Sequence, residues 1–418
     1  MVRRSMWLNT VSALDALRLI PEGAHLVAAP GCGAPDTLLQ AMPEACLGRG
    51  WTLATGILLG DVAFLPAVRN GDLCYRTWHV PPSARKLVAA GTIHYVPLRA
   101  SRVAAHLAAW RVDAALVRVS PPDNAGNVSL GGSVGYGLDA LRLASIRLAE
   151  VDPAVPRTHG DSTVHSSLFD AFVDSDQPMQ EYISAEPDPT SLAIARHILN
   201  LIPRNPVLQI GIGAIPESVL AGVADADLGR VRFEGMGSEA MVDLFGRGIL
   251  DPVDREPGPV LRSPELMGTA RLMAFAHENP AIGLYPSSSS HDTGRLGDLG
   301  RLISINAAIE VDLRGQVNAE AIRRNPVAGI GGALDFVEAA SRSRGGLRIT
   351  ALASASPDGS VSRIVPEVST VTVPSSYSDV VVTEFGVARL EGLSVRERAE
   401  ALLAICHPQH RDDLSALQ

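Results

Sequence analysis

The feature that most constrains this chain is a phrase it uses twice. Residues 17–21 read Leu-Arg-Leu-Ile-Pro and are followed by His25-Leu-Val-Ala-Ala-Pro-Gly-Cys-Gly-Ala-Pro-Asp-Thr-Leu-Leu. Residues 199–203 read Leu-Asn-Leu-Ile-Pro and are followed by Val207-Leu-Gln-Ile-Gly-Ile-Gly-Ala-Ile-Pro-Glu-Ser-Val-Leu. Each copy predicts a helix stopped at Ile-Pro, a short apolar strand of the kind buried in a parallel sheet, a glycine turn and a second helix. The copies agree to within about two residues of loop, which predicts a duplicated α/β unit.

Other apolar runs, Ala114 to Val119, Ile349 to Ala353 and Val380 to Thr383, alternate with helices rich in Ala, Leu and Arg. The expectation is an α/β protein of two similar open domains, with mainly parallel sheets covered by helices. At 418 residues the chain is long enough for two cores. Turn formers gather at Ser184-Ala-Glu-Pro-Asp-Pro-Thr-Ser and helical periodicity resumes at Leu192, so the domains are expected to be 1–185 and 186–418. The runs Ser287-Ser-Ser-Ser-His-Asp-Thr-Gly and Ser354-Ala-Ser-Pro-Asp-Gly-Ser read as loops.

Composition excludes several function classes. A net charge of −9 argues against a nucleic-acid surface, which needs a concentrated basic face. No stretch approaches the roughly 20 apolar residues of a membrane span, and the opening Met-Val-Arg-Arg-Ser-Met-Trp-Leu-Asn-Thr lacks the apolar run of a secretory signal. Cys32, Cys46, Cys74 and Cys406 form neither a disulfide framework nor a paired metal spacing, so buried free thiols in a reducing cytoplasm are expected. No His, Cys, Asp or Glu cluster has metal-ligand spacing, and no metal is expected.

The second copy's glycine loop is the first candidate site. Gly211 and Gly213 allow positive φ and close approach of a ligand to the backbone, and Pro216 suits the first turn of a helix. The free N–H groups of such a turn favour an anion or a polarised carbonyl. The loop lacks the Lys-Ser/Thr ending of a phosphate-binding loop and the third glycine of a dinucleotide fingerprint, so plain strand-to-helix packing stands beside the ligand-binding reading.

Further phrases follow in order: Ser120-Pro-Pro-Asp-Asn-Ala-Gly-Asn-Val-Ser-Leu-Gly-Gly-Ser, Ile305-Asn-Ala-Ala-Ile-Glu-Val-Asp-Leu-Arg-Gly-Gln-Val-Asn, Gly329-Ile-Gly-Gly-Ala-Leu-Asp-Phe, Ser362-Arg-Ile-Val-Pro, Val382-Thr-Glu-Phe-Gly-Val-Ala-Arg-Leu-Glu-Gly and Ile405-Cys-His-Pro. In this order and spacing, over residues 15–412, the chain resembles the acetyl-CoA hydrolase/transferase family of CoA-transferases, including 4-hydroxybutyrate and itaconate CoA-transferases. The resemblance implies transfer of CoA from an acyl-CoA to a small carboxylic acid through covalent enzyme intermediates. It implies that a glutamate attacks the thioester and that the CoA thiolate then attacks the glutamyl carbonyl, conserving the thioester. It matches Gly211, Ile212, Gly213, Ala214 and Ile215 to the family's CoA-binding loop, and Gly331 and Gly332 to its glycine loop over the thioester. A homodimer is also implied.

The nucleophile is where the sequence departs from the family pattern. Members carry His-Thr-Glu-Met ahead of Ser-Asp-Gly; here the segment is Arg232-Phe-Glu-Gly-Met-Gly-Ser-Glu-Ala-Met-Val-Asp. Aligned backwards from Met236, Ser238 and Asp243, the slot holds Gly235. Counted forward from Gly211, it holds Glu234, and a one-residue loop shift after Gly229 reconciles the two. Glu234 is the expected nucleophile, with Glu239 as the other acid in the motif; another carboxylate, or none, stays open. The bland reading of Glu234 is a solvated loop acid paired with Arg232. Glu310 and Glu384 read as hydrogen-bonded structural acids, His291-Asp292 as a loop hydrogen bond and His79 as packed beside Trp78. The serines at 287–290 suggest a small or hydroxylated acyl group. Two other readings remain: an acyl-CoA hydrolase or biosynthetic acyltransferase on the same fold, and a non-catalytic CoA-binding protein.

Overall fold

The structure is a computed structural model in which residues 10–250 and 258–416 are described. Met1–Asn9, part of the opening read above as no secretory signal, lie outside the described residues. The chain divides into two compact units, Met1–Ile183 with Arg255–Ser290, and Ser184–Asp254 with His291–Gln418.

The first unit is built on a seven-stranded sheet in the order Ala171–Asp174, Ile146–Val151, Ala114–Val119, His25–Ala28, Thr52–Thr55, Cys74–Thr77, His94–Tyr95. Every pair in it is parallel. In the second unit the order is Gly386–Arg389, Val380–Thr383, Leu347–Ala351, Leu302–Ala307, Val207–Ile210, Arg232–Glu234, parallel except for the hairpin pair at the edge. In both units the first strand of the repeat lies between the strand that follows it and a later one. In both it runs into a glycine turn and a helix, Asp36–Ala45 in one and Ala214–Val223 in the other. The mainly parallel α/β architecture and its duplication are as the repeated phrase predicts.

Side-chain chemistry explains where the elements start and stop. The helix Pro189–Leu199 begins ahead of Leu192 because Asp188 accepts a hydrogen bond from the Ser191 N–H and Pro189 takes the first turn. The run Ser287–Ser290 is a helical turn rather than a loop. There Ser288 Oγ donates to Asp139 Oδ1 at 2.8 Å, so this serine serves packing within the first unit. The first core gathers Leu26, Leu38, Trp51, Phe64 and Tyr75. The Trp51 indole N–H donates to the Pro21 carbonyl at 2.6 Å, fixing the Ile-Pro break to the sheet behind it. Cys32, Cys46 and Cys406 are buried free thiols, while Cys74 is exposed.

The first unit buries charge in two contrasting ways. Arg118, fully enclosed in the central strand Ala114–Val119, donates to Asp36 at 3.1 Å, to Glu150 at 2.9 Å and to Asp152 at 2.9 Å. Glu150 is also its register partner on the next strand. Glu265, by contrast, sits in a glycine-lined niche: a Cβ at Gly135 would meet its Oε1 at 2.6 Å, and one at Gly31 would meet its Oε2 at 3.3 Å. Burial raises the Glu265 carboxyl to about 7.

A carboxyl whose folded-state pKa is raised lends stability below its ordinary value of 4.5, and loses that contribution as the pH climbs through about 7. Asp36, which burial raises to about 6, acts in the same sense. Glu265→Gln, which cannot ionise, is therefore expected to gain stability relative to the parent between about pH 5 and pH 8, by up to about 3 kcal/mol. Urea unfolding midpoints across that range check this; a constant offset between the two proteins would remove the assignment.

Candidate active site

In the second unit the predicted pieces gather at the carboxyl ends of neighbouring parallel strands, the edge at which open α/β sheets bind ligands. Glu234 ends the strand Arg232–Glu234, beside Val207–Ile210 in register Val207↔Arg232 and Leu208↔Phe233. Its carboxylate is buried, with 6% of its surface exposed, and Arg295 grips it from the side: Nη1 to Oε1 at 2.9 Å and Nη2 to Oε2 at 2.8 Å. Glu234 is thus neither solvated nor held by Arg232 alone, contrary to the bland reading. Planar bidentate pairing fixes the position and orientation of a carboxyl group. Gly235, next in the chain, has φ +99°, and a Cβ there would also press on Gln209 Cγ at 3.3 Å and Phe336 Cζ at 3.4 Å. The strand can therefore turn sharply immediately after Glu234, because a side chain at 235 would meet both strain and crowding.

Arg295 is delivered by the short helix Thr293–Asp298, whose N-cap Asp292 accepts from the Arg295 backbone N–H at 2.7 Å. His291, one residue earlier, is buried with its ring 5.1 Å from that of Phe336. The His291-Asp292 pair is therefore a helix start and a packed ring.

Gly331 and Gly332 lead into the helix Ala333–Arg342. A Cβ at Gly332 would lie 2.3 Å from His291 Nε2 and 3.4 Å from Phe336 Cε2, so glycine is required there by packing alone. Gly331 has φ +54° and nothing within 4 Å of a Cβ position, leaving its surroundings open. Phe336 therefore stands where a side chain at either Gly235 or Gly332 would meet its ring.

Gly211 to Ile215 follow the strand Val207–Ile210 and are all half-buried. The Gly211 N–H donates to the Ile305 carbonyl at 3.1 Å, so this glycine supplies space and not a donor. Gly213 has φ +117° and caps the helix Ala214–Val223, whose first-turn N–H groups at Ala214 and Ile215 have no partner within the helix.

Polar residues to which the sequence reading gives no role lie beside these loops. Gln209 Nε2 donates to Asn306 Oδ1 at 3.1 Å, Ser304 Oγ donates to Gln209 Oε1 at 2.7 Å, and Asn306 Nδ2 donates to Ser304 Oγ at 2.9 Å. Their signal was available: polar residues at alternate positions of otherwise apolar strands require partners.

The other acids have separate fates. Glu239 stands half-buried at the start of the helix Ala240–Gly246. Glu217, on the helix after the glycine loop, is buried, and its carboxyl is raised chiefly by that burial, with Glu239 adding repulsion. Glu384 accepts from Ser354 N–H and Oγ at 2.9 and 2.6 Å, and Glu310 from Asn318 Nδ2 at 3.0 Å; both are hydrogen-bonded structural acids. His79 is buried enough to be pushed down to about 4. Among the described residues no group of His, Cys, Asp and Glu could hold a metal ion, and no helix is long and apolar enough to cross a membrane.

Comparison with known proteins agrees with the motifs. The acetyl-CoA hydrolase/transferase N-terminal domain matches residues 71–192 and the C-terminal domain matches residues 268–417. Gly211–Ile215 and Glu234 fall between the two matches, whereas Gly331 and Gly332 fall inside the second. The 4-hydroxybutyrate coenzyme A transferase of Clostridium kluyveri is 32% identical over 412 residues, covering 97% of this chain and 96% of that protein. The succinyl-CoA:cyclohexane-1-carboxylate CoA transferase of Geobacter metallireducens is 35% identical over 345 residues, covering 81% of this chain and 78% of that protein. RipA from Yersinia pestis has a similar structure, with a TM-score of 0.88 at 29% identity, covering 98% of this chain and 96% of that one. With both domains matched and homology running nearly end to end, the chain belongs to the acetyl-CoA hydrolase/transferase family.

Proposed function

We propose that this chain is a CoA-transferase, moving CoA from an acyl-CoA to a small carboxylic acid, with Glu234 as the nucleophile. The observation that carries the reading is a buried carboxyl group at the carboxyl edge of a parallel sheet, gripped at both oxygens by Arg295 and followed by a positive-φ glycine. Attack by a Glu234 oxygen on the thioester carbonyl breaks the C–S bond and leaves an acyl-glutamyl anhydride with CoA thiolate. The thiolate attacks the glutamyl carbonyl, the original acid departs as its carboxylate, and a glutamyl-CoA thioester remains. A second carboxylate reverses both steps.

Gly331 and Gly332 are assigned to the oxyanion region, where stabilisation by backbone N–H groups is commonly worth a few kcal/mol. Gly211, Ile212, Gly213, Ala214 and Ile215 are assigned to CoA. The two units are assigned as copies of one α/β domain, divided close to the 185/186 boundary that the sequence suggests except that Arg255–Ser290 belongs to the first. Coenzyme A as the thioester substrate, no metal, a cytoplasmic location and a homodimer complete the proposal. Ping-pong kinetics with an absolute need for a carboxylate acceptor test the reaction; thioester loss to water at the same rate without acceptor would make the protein a hydrolase instead.

The loop assignment has its own test. Gly211→Ala introduces only ordinary contact, 3.8 Å to Asn306 Oδ1, and is expected to leave the fold unchanged. Gly213→Val meets open space but forces valine to φ +117°, adding backbone strain of about 1–3 kcal/mol. Both are expected to raise the CoA dissociation constant, Gly213→Val by more than about tenfold. Unchanged calorimetric affinity in both folded variants would remove CoA from this loop.

A further inference from the structure

The first unit carries a buried carboxyl group that the reaction assigned to Glu234 does not use. In its sheet His25–Ala28 lies beside Ala114–Val119, yet the chain reaches the second strand only after running outward through Thr52–Thr55, Cys74–Thr77 and His94–Tyr95. At such a reversal open α/β sheets take their ligands, outside the carboxyl ends of the strands. Gly31 follows the first of these strands, and Gly135 opens the helix Gly135–Leu143 that carries the chain from the second to Ile146–Val151. Between these two glycines sits Glu265.

Its backbone is held on both sides by Ser263 Oγ, which donates to the Glu265 carbonyl at 2.6 Å and accepts from its N–H at 3.1 Å. The side chain is 8% exposed, with Oε1 against Gly135 and Oε2 against Gly31, and a Cβ at Gly31 would also meet Met267 Sδ at 3.0 Å and Ile57 Cγ2 at 3.8 Å. Among the described residues no hydrogen-bond donor or cation reaches either carboxyl oxygen. The other buried acids of this unit are provided for: Asp36, Glu150 and Asp152 share Arg118, and Asp139 accepts from Ser288. A buried carboxyl without donor or cation lowers stability, so its retention at a ligand-binding edge points to a partner from outside the chain. The surrounding glycine, thioether and methyl groups offer nothing to hold an anion, whereas a primary ammonium is a compact cation whose three donors suit two such oxygens.

We propose that Glu265 is the receptor for the primary ammonium group of a small-molecule ligand of the first unit. On binding, any proton on the Glu265 carboxyl passes to solvent and the ammonium donates hydrogen bonds to the carboxylate; no covalent bond changes. The same charge turns away a ligand that ends in a second carboxylate. The assignment is independent of the role of Glu234.

Calorimetric titration of the full chain with n-propylammonium tests this, with n-propanol and butyrate as the uncharged and anionic arms. Burial sets the Glu265 carboxyl at about 7, while the two titratable groups that act on it, Cys32 and Tyr136, are pushed by burial above their ordinary values and stay neutral below pH 8. Propylammonium is therefore expected to bind about tenfold more tightly at pH 8 than at pH 6. Heats measured at pH 7 in buffers of different ionisation enthalpy should show release of roughly half a proton per site. Glu265→Gln keeps the shape of the side chain and is expected to be the more stable protein, so misfolding does not confuse the result; it should lose both the binding and the proton release. Absence of propylammonium binding in the parent, or binding that survives unchanged in Glu265→Gln, would overturn the proposal. Equal affinity for propanol, or binding without a pH dependence, would overturn the ammonium assignment.

Discussion

Glu234→Gln is expected to lower CoA transfer by about a thousandfold or more while CoA binding persists, because the amide keeps the shape of the side chain but has no carboxylate oxygen to attack the thioester. The geometry adds a second consequence. The variant faces Arg295 with a neutral group, and its amide nitrogen cannot accept one of the two hydrogen bonds that Nη1 and Nη2 now make. A modest loss of stability in the second unit should therefore accompany the loss of activity. Glu239→Gln, at a half-buried helix start, is the matched control and is expected to retain transfer. The reverse outcome, an active Glu234→Gln beside a dead Glu239→Gln, would show that the register of the departing motif runs through the other acid.

Arg118→Met should produce the largest loss of stability in the first unit. It removes the guanidinium on which Asp36, Glu150 and Asp152 all converge, leaving three neighbouring carboxyl groups without the cation that joins them. Breaking a buried ion pair by removing one partner commonly costs about 3–5 kcal/mol. Burial already raises the Asp36 and Glu150 carboxyls against the pull of Arg118, so without that pull protonation should recover part of the loss at lower pH. Chemical denaturation at neutral and mildly acidic pH measures both effects. A loss below about 1 kcal/mol would mean that water or relaxation takes over the role of Arg118.

The parts of this molecule legible in the sequence are those governed by local chemistry. Val207–Ile210 and Ala114–Val119 announce themselves as buried strands because both faces are covered and their residues are almost uniformly apolar. The strand placed at Ile349 to Ala353 is observed at Leu347–Ala351, a small offset set by its pairing with Leu302–Ala307. The serine run at 287–290 was misread as a loop because its helical turn depends on contacts such as Ser288 with Asp139, far away in sequence.

The site follows the same division. Gly235 stands in the sequence beside Glu234 and has the positive φ that a glycine adopts readily. The partner of Glu234 was not legible: Arg232 lies two positions away on the same strand face, whereas Arg295 comes from a distant helix and is one cation among many. No local spacing distinguishes it. The packing requirement at Gly332 is equally invisible in sequence, since it is set by the ring of His291.

The most direct test of the central claim is mass mapping of the parent protein after incubation with an acyl-CoA. The account predicts a CoA adduct in the peptide that contains Glu234, converted by hydroxylamine to a hydroxamate at that one side chain, because only an activated acyl carbonyl reacts under mild conditions. An adduct on Glu239 or any other residue, or active transfer with no adduct at all, would contradict it.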